Sequence, residues 1–309
     1  MRPASILKIL SQVINFNIKT VLLESKDYPD VLKRIKNPPK VLYYAGKLFR
    51  KDENYLAIVG SRIPSDYGVR VCKDIGQKIA KSNIVIVSGL AKGIDAIAHD
   101  CATSNNKRTV AVLGSGIDYN SFYPKENYKL AEKILKNDGL IVSEYPIGTK
   151  PTKYSFPERN RIIAGLSFGV LVVEARLKSG SLITADYAKK QGKNVFAIPN
   201  SIYAQNSKGC LELIKNGAKI ITDAKDIFTE FKNNNLPLVY KDDKDIEING
   251  DNNSEKIILT LLSKSEIPLG IEELIKLSGL TPADIIATLT ILEIKNKIID
   301  IRERNYLIK

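Results

Sequence analysis

The chain of 309 residues contains one histidine, His99, and three cysteines, Cys72, Cys101 and Cys210. With so little imidazole, neither a zinc site nor a Ser-His-Asp triad is expected. The cysteines are odd in number, far apart and without CxxC spacing, which excludes a disulfide framework and argues against a thiolate metal centre. No run of about 18 apolar residues occurs, so no membrane span is expected. The first residues, MRPASILKILSQVINFNIK, lack a cleavage-site pattern, so no signal peptide is expected and a reducing cytoplasm is the default. No GxxxxGK[ST] loop is present anywhere. What the chain does have is a globular composition, 44% apolar and 26% charged, with enough length to bury a core unaided.

Acidic residues are also in deficit: 34 against 47 basic ones, for a net charge of +13. Residues 1–50 carry +7, residues 51–150 carry +3 and residues 151–232 carry +6. The stretch 233–253 is −3, and 254–309 is neutral. The basic excess therefore lies wholly in the first 232 residues, which suggests a polyanionic partner for that part. A solvated, Lys-rich surface is the plain alternative.

Six short aliphatic runs alternate with helical patterns: Tyr55–Val59, Ile84–Val87, Thr109–Leu113, Leu140–Val142, Val170–Val173 and Val195–Ile198. Continuous runs of this kind fit parallel strands buried on both faces, and the alternation predicts a doubly wound α/β sheet over 51–232. Asp66–Lys81 and Lys125–Lys136 fit intervening helices. Residues 1–50 read as an extension, with a possible helix over Ile6–Phe16 and an irregular approach punctuated by Asp27-Tyr28-Pro29 and Asn37-Pro38-Pro39. The Asn- and Asp-rich stretch 233–253 reads as a linker. Beyond it, helices are expected over Glu255–Leu262, over Ile271–Leu277 and from Thr281, where Thr and Pro form a start signal. A hairpin follows over Lys297–Asp300 and Asn305–Ile308. This is a winged-helix pattern over 254–309.

Ligands of open α/β sheets bind at the carboxyl ends of the strands. The first of the six runs leads into Gly60-Ser61-Arg62: a close backbone approach, a donor and a guanidinium fork for phosphate. The second leads into Ser88-Gly89-Leu90-Ala91-Lys92-Gly93, where backbone N–H groups can cradle an anion. Gly114-Ser115-Gly116 begins like a nicotinamide fingerprint, but position 119 is Tyr and the strand is the third, so no cofactor is expected. His99 reads as structural. Lys153, Phe156, Arg159, Asn160 and Arg161 crowd into nine residues, cations and a ring of the kind single-stranded nucleic acid requires. Ser179-Gly180-Ser181 opens a helix and offers N–H groups to an anion. Glu174, at a strand end, suits either a catalytic base or an ion pair that orients Arg159 or Arg161; the ion pair is favoured.

In order along the chain, AIVGSR (57–62), SGLAKGIDAIAH (88–99), FPERNRIIAGLS (156–167), VVEARLKSGSLITA (172–185), NVFAIP (194–199) and GCLELIKNGA (209–218) closely resemble the bacterial DNA-processing protein A family (DprA, also called Smf). The segment YPDVLKRIKNPPKVLYYAGKL from Tyr28 resembles that family's approach to its sheet. The resemblance implies an extended Rossmann-like, mostly parallel sheet followed by a winged helix. It implies a homodimer without known catalysis that protects incoming single strands in natural transformation and helps load the RecA recombinase. Carried onto this chain, Gly60, Ser61 and Arg62 would line a phosphate pocket. Lys153, Phe156, Arg159, Asn160 and Arg161 would form the groove, completed by Ser179, Gly180 and Ser181. Many members begin with a helical domain, for which the residues ahead of Tyr28 are too few.

Two other readings compete. Rossmann-like nucleotide phosphoribohydrolases place a glutamate near a comparable strand end, as Glu174 is here, but their double-glycine loop is absent. A transcription regulator would use the winged helix, yet Thr281–Glu293 holds no Lys or Arg, and helices entering a groove need cations. That module therefore reads as a protein-contact domain.

Overall fold

The computed structural model describes residues 16–50, 52–239, 251–265, 268–302 and 305–308, in two compact units, 1–240 and 241–309. The first unit holds a nine-stranded sheet. Its strands are β1 (Lys19–Leu22), β2 (Val41–Gly46), β3 (Asn54–Val59), β4 (Ile84–Ser88), β5 (Thr109–Leu113), β6 (Leu140–Ser143), β7 (Gly169–Val172), β8 (Asn194–Ala197) and β9 (Lys219–Ile220). Their spatial order is β1-β2-β6-β5-β4-β3-β7-β8-β9. All seven strands from β6 across to β9 are parallel, and β2 is antiparallel to both its neighbours.

The six expected strands are all present, because Val- and Ile-rich runs without a polar face must be covered on both sides. The helices that cover them are α1 (Asp30–Lys33), α2 (Asp66–Ala80), α3 (Ile94–Ser104), α4 (Tyr128–Lys136), α5 (Ser155–Leu166), α6 (Gly180–Lys190), α7 (Lys208–Lys215) and α8 (Ala224–Asn233). On one face Ala57, Val59, Val110, Val112, Val170 and Val172 meet Ile162, Ile163 and Leu166 of α5 and Ala185 and Ala188 of α6. Leu56, Ile58, Ile84 and Ile86 point the other way, toward Ile75 and Ile79 of α2, Ile94 and Ala98 of α3, and Phe228 and Phe231 of α8. Farther along that side Ala111, Leu113 and Ile141 meet Ala131 and Ile134 of α4. Truncating one of these fully buried side chains to Ala is expected to cost about 2–5 kcal/mol.

The irregular approach expected before residue 50 is instead two strands that extend the sheet at one edge. Tyr28 ties the connection between them by donating to the Pro39 carbonyl at 2.9 Å. The expected helix over Ile6–Phe16 lies outside the described residues except for Phe16, which is buried and stacks on Tyr128 at 5.1 Å. Past α8, Leu236 and Leu238 still pack on the core, and the Val239 amide donates to Asn83 at 2.8 Å. Of the expected linker, 240–250 lies outside the described residues.

The amino-terminal edge of the sheet is sealed. Arg108 pairs with Glu53 at 2.8 Å and donates to the carbonyls of Asp138 and Leu48. The carboxyl ends carry the loops described below.

The second unit is a winged helix. It comprises α9 (Asn253–Lys264), β10 (Leu269–Gly270), α10 (Ile271–Ser278), α11 (Pro282–Ile294), β11 (Ile298–Arg302) and β12 (Asn305–Ile308), with strand order β10-β12-β11. Gly279, at φ +69°, ends α10, and the Thr281 hydroxyl accepts from the Asp284 amide to start α11. Ile258, Leu262, Leu274, Ile285, Leu289 and Tyr306 form its core. No single helix among the described residues is long and apolar enough to cross a membrane.

Candidate functional site

Strand β3 sits between β4 and β7, and the winding reverses there. The chain leaves β3 for α2 on one face and β7 for α6 on the other, so the strand ends part and leave a crevice. A cleft of about 730 Å³ occupies that place, lined by the loop after β3, the start of α5 and the start of α6.

Glycine lets the first wall form. A Cβ on Gly60 would lie 2.8 Å from the Ile94 side chain, and one on Gly93 would lie 2.3 Å from the Ser61 carbonyl oxygen. Gly93 also has φ +76°, a conformation that favours glycine. Helix α3 can thus press its start against the 60–62 loop, where the Ile94 amide donates to the Ser61 carbonyl at 3.1 Å. The Ser61 hydroxyl closes its own turn by donating to the Ile63 carbonyl. Arg62 is left exposed on the rim, its guanidinium 5.4 Å over the Phe156 ring. Lys153 stands on the same rim, 5.0 Å over Tyr154. Across the cleft, the Ser179 side chain at the start of α6 accepts from no backbone amide of the first turn, and its hydroxyl hydrogen-bonds with that of Ser181 at 2.7 Å. Arg176 lines the cleft beside them and donates to Asn206 at 2.7 Å.

The floor holds two buried charged side chains, Arg159 and Asp95. Arg159 is 4% exposed and donates to the carbonyls of Gly89 and Val112. Burial lowers its pKa to about 10, the nearby charge of Asp95 acting against that and Arg62 adding to it. The Asp95 carboxylate accepts from the amides of Gly89 and Ala91. Burial raises its pKa although Arg159 pulls the other way. Asn160 donates to the Gly180 carbonyl at 3.1 Å, which joins α5 to the start of α6. The neighbouring turn holds Leu90 at φ +53°, a strained conformation for leucine; its side chain is fully buried and its carbonyl accepts from Asn127.

Of the expected site residues, Gly60, Ser61, Arg62, Lys153, Phe156, Arg159, Asn160, Ser179, Gly180 and Ser181 line this cleft. Five others do not. Ser88 is still within its strand, fully buried, and donates to the Ile58 carbonyl at 2.6 Å. Gly89 lies beneath Arg159, whose guanidinium would touch any Cβ there at 2.6 Å. Gly93 packs against the 60–62 loop and is not among the residues that line the cleft. Lys92 borders a smaller neighbouring pocket and pairs with Glu126 at 2.5 Å. Arg161 faces away, in an ion pair with Glu144.

Glu174 does not form the expected ion pair with Arg159 or Arg161. It is 1% exposed, does not line the cleft, and accepts from the Ser65 amide at 2.9 Å and from the Ser65 hydroxyl. His99 is structural: its Nδ1–H donates to Thr109 at 2.8 Å, because the Thr109 hydroxyl gives its own proton to the Ile86 carbonyl at 2.6 Å. No cluster of metal-ligating side chains occurs among the described residues. Arg176 and Asp95 also line the cleft; both fall within segments that carry the family resemblance, 172–185 and 88–99, but neither is among the expected site residues.

The sequence model of a family described as DNA recombination-mediator protein A matches residues 19–232. The chain belongs to that family. The DprA winged helix domain matches residues 248–299. DNA processing protein DprA of Streptococcus pneumoniae is 47% identical over 205 residues, 66% of this chain and 71% of that protein. Protein Smf of Synechocystis is 50% identical over 202 residues, which span 64% of this chain but only 50% of that relative. An X-ray structure of S. pneumoniae DprA superposes with a TM-score of 0.65 at 42% identity, covering 72% of this chain and 77% of that one. A structure of Helicobacter pylori DNA processing protein A, concerned with its single-stranded DNA binding mode, superposes with a TM-score of 0.62 at 32% identity, covering 71% and 97%. This DprA-family chain thus shares with both solved relatives the sheet at whose carboxyl edge the cleft lies.

Proposed function

We propose that the cleft binds single-stranded DNA. Arg62, Lys153 and Arg176 neutralise backbone phosphates, the open first turn of α6 accepts one more, and Phe156 stacks on a base. The observation that carries this reading is the pairing of exposed Arg62 with half-buried Phe156 at the mouth of a carboxyl-edge cleft, a cation and a ring 5.4 Å apart. The single-strand binding of the H. pylori relative supports it. The locked, buried Glu174 supports binding rather than hydrolysis. In keeping with a recombination mediator, the protein acts as a homodimer that protects the strand and helps place RecA on it, in transformation or general recombination in the cytoplasm.

The test is a titration of single-stranded and duplex DNA of one sequence across a salt series. Single strands are expected to bind more tightly, with little sequence preference. Three rim cations set a log–log salt slope of about −2. Equal affinity for duplex and single strand at moderate salt would refute the reading.

A further inference from the structure

We propose that Tyr123 is a second base platform, one step along the strand from Phe156. The proposal rests on the single-strand reading of the cleft and extends it to a subsite that the cleft itself does not contain.

Tyr123 lies in the loop between β5 and α4 and is 44% exposed. Its ring centroid is 5.6 Å from that of Phe156, with the planes tilted by 52°. Phe156 is therefore a partition rather than an end wall. On one side is the cleft; on the other is a small pocket that shares Arg62 and Phe156 with it and adds Tyr123 and Lys92. The small pocket has only about 30 Å³ of open space, too little for a nucleobase. The two rings are also too close and too tilted to hold a base between them. A base passing Phe156 must therefore lie flat on the open side of Tyr123, over the pocket mouth.

Charge follows the same course. Arg62 serves the phosphate at the first ring. Lys92 borders the second, and its ammonium is held by Glu126 at 2.5 Å, both side chains more than half exposed. A phosphate arriving there takes the place of the Glu126 carboxylate in an exchange that water-exposed ion pairs make readily. Ring and cation thus recur together, the pattern of a sequence-tolerant single-strand track.

The experiment measures binding of the full chain to fluorescent oligothymidylate and, separately, photocrosslinking to oligothymidylate carrying 5-iododeoxyuridine. Tyr123→Ala is expected to weaken binding about 5- to 150-fold, equivalent to roughly 1–3 kcal/mol for one stacked base. Tyr123→Phe, which keeps the ring, should bind within twofold of wild type. Wild-type crosslinks should map to the peptides of both Tyr123 and Phe156. If Phe156→Ala weakens binding while Tyr123→Ala does not, and crosslinks reach only Phe156, the second platform is overturned and the cleft reading survives. If the wild type fails to bind the oligonucleotide, both readings fall.

Discussion

Lowering the pH from 7 to 5 is expected to cost the 1–240 unit about 2 kcal/mol of stability through His99 alone. His99 is the one histidine of the chain and is fully buried beneath the cleft. Burial, with the nearby Arg159 charge as a second cause, lowers its pKa from 6.5 to about 3. The unfolded chain takes up a proton as pH falls through the ordinary imidazole value, whereas the folded chain refuses it until about pH 3. Stability is therefore fully present above the unfolded value and lost as pH falls below it. The difference grows by about 1.4 kcal/mol per pH unit in this window. Asp95 acts oppositely, because its folded pKa is raised and its burial becomes easier as it protonates. The His99→Gln variant separates the two, since it keeps the Asp95 contribution and removes the imidazole. Urea unfolding of the 1–240 unit at pH 7, 6 and 5 reads the effect. With a slope of about 2 kcal/mol per molar, the wild-type midpoint should fall roughly 1 M further than that of the variant. Parallel midpoints for the two proteins would show that the imidazole is protonated or solvated in the fold.

Arg62→Ala should weaken single-strand binding and reduce the salt slope by about 0.7, whereas Phe156→Ala should weaken it by about 1–3 kcal/mol and leave the slope unchanged; fluorescence anisotropy across a salt series reads both. Glu174→Gln should lower stability by about 1–3 kcal/mol in a denaturant titration. Neither that variant nor the wild type should release free base from a nucleoside monophosphate, and turnover that depends on Glu174 would move the protein to the enzymes. Gly93→Ala, which places a methyl group against the Ser61 carbonyl, should destabilise the fold by more than about 1 kcal/mol in the same titration and also weaken DNA binding. Ending the chain at residue 240 should leave single-strand affinity within a few fold, because 254–309 carries no net charge and Thr281–Glu293 no cation. A loss greater than tenfold with the circular dichroism of the sheet intact would show that the winged helix touches DNA.

The central strands were legible because a run such as Thr109–Leu113 has no polar face and can only be a doubly covered strand. Strands β1 and β2 were not: β1, at the sheet edge, buries one residue of four, and β2, although paired on both sides, buries only two of six. Strand β9 is two exposed residues and has no pattern to read. In the site, loops fared better than the helix. Gly60-Ser61-Arg62 and Ser179-Gly180-Ser181 follow or begin regular elements whose ends were already placed. Arg159, Asn160 and Arg161 are consecutive on α5, and successive helical residues point about 100° apart, so they could not all face one cleft. Arg159 points to the floor, Asn160 to α6 and Arg161 to Glu144. The proposed platform Tyr123 has nothing in its own segment that announces a ring partner 33 positions further on.

A sheet that reverses its winding has a seam. The segments that follow β3 and β7 go to opposite faces, and the ligand crevice lies where the two halves of the molecule have least in common. Glu174, just past β7, reaches across that seam to Ser65, at the start of the helix that follows β3. The carboxylate is a bolt. It ties the two jaws of the crevice together at that point. If the proposed strand binds there, a crevice tied in this way need not close around it, and the ordering penalty of association falls mainly on the DNA.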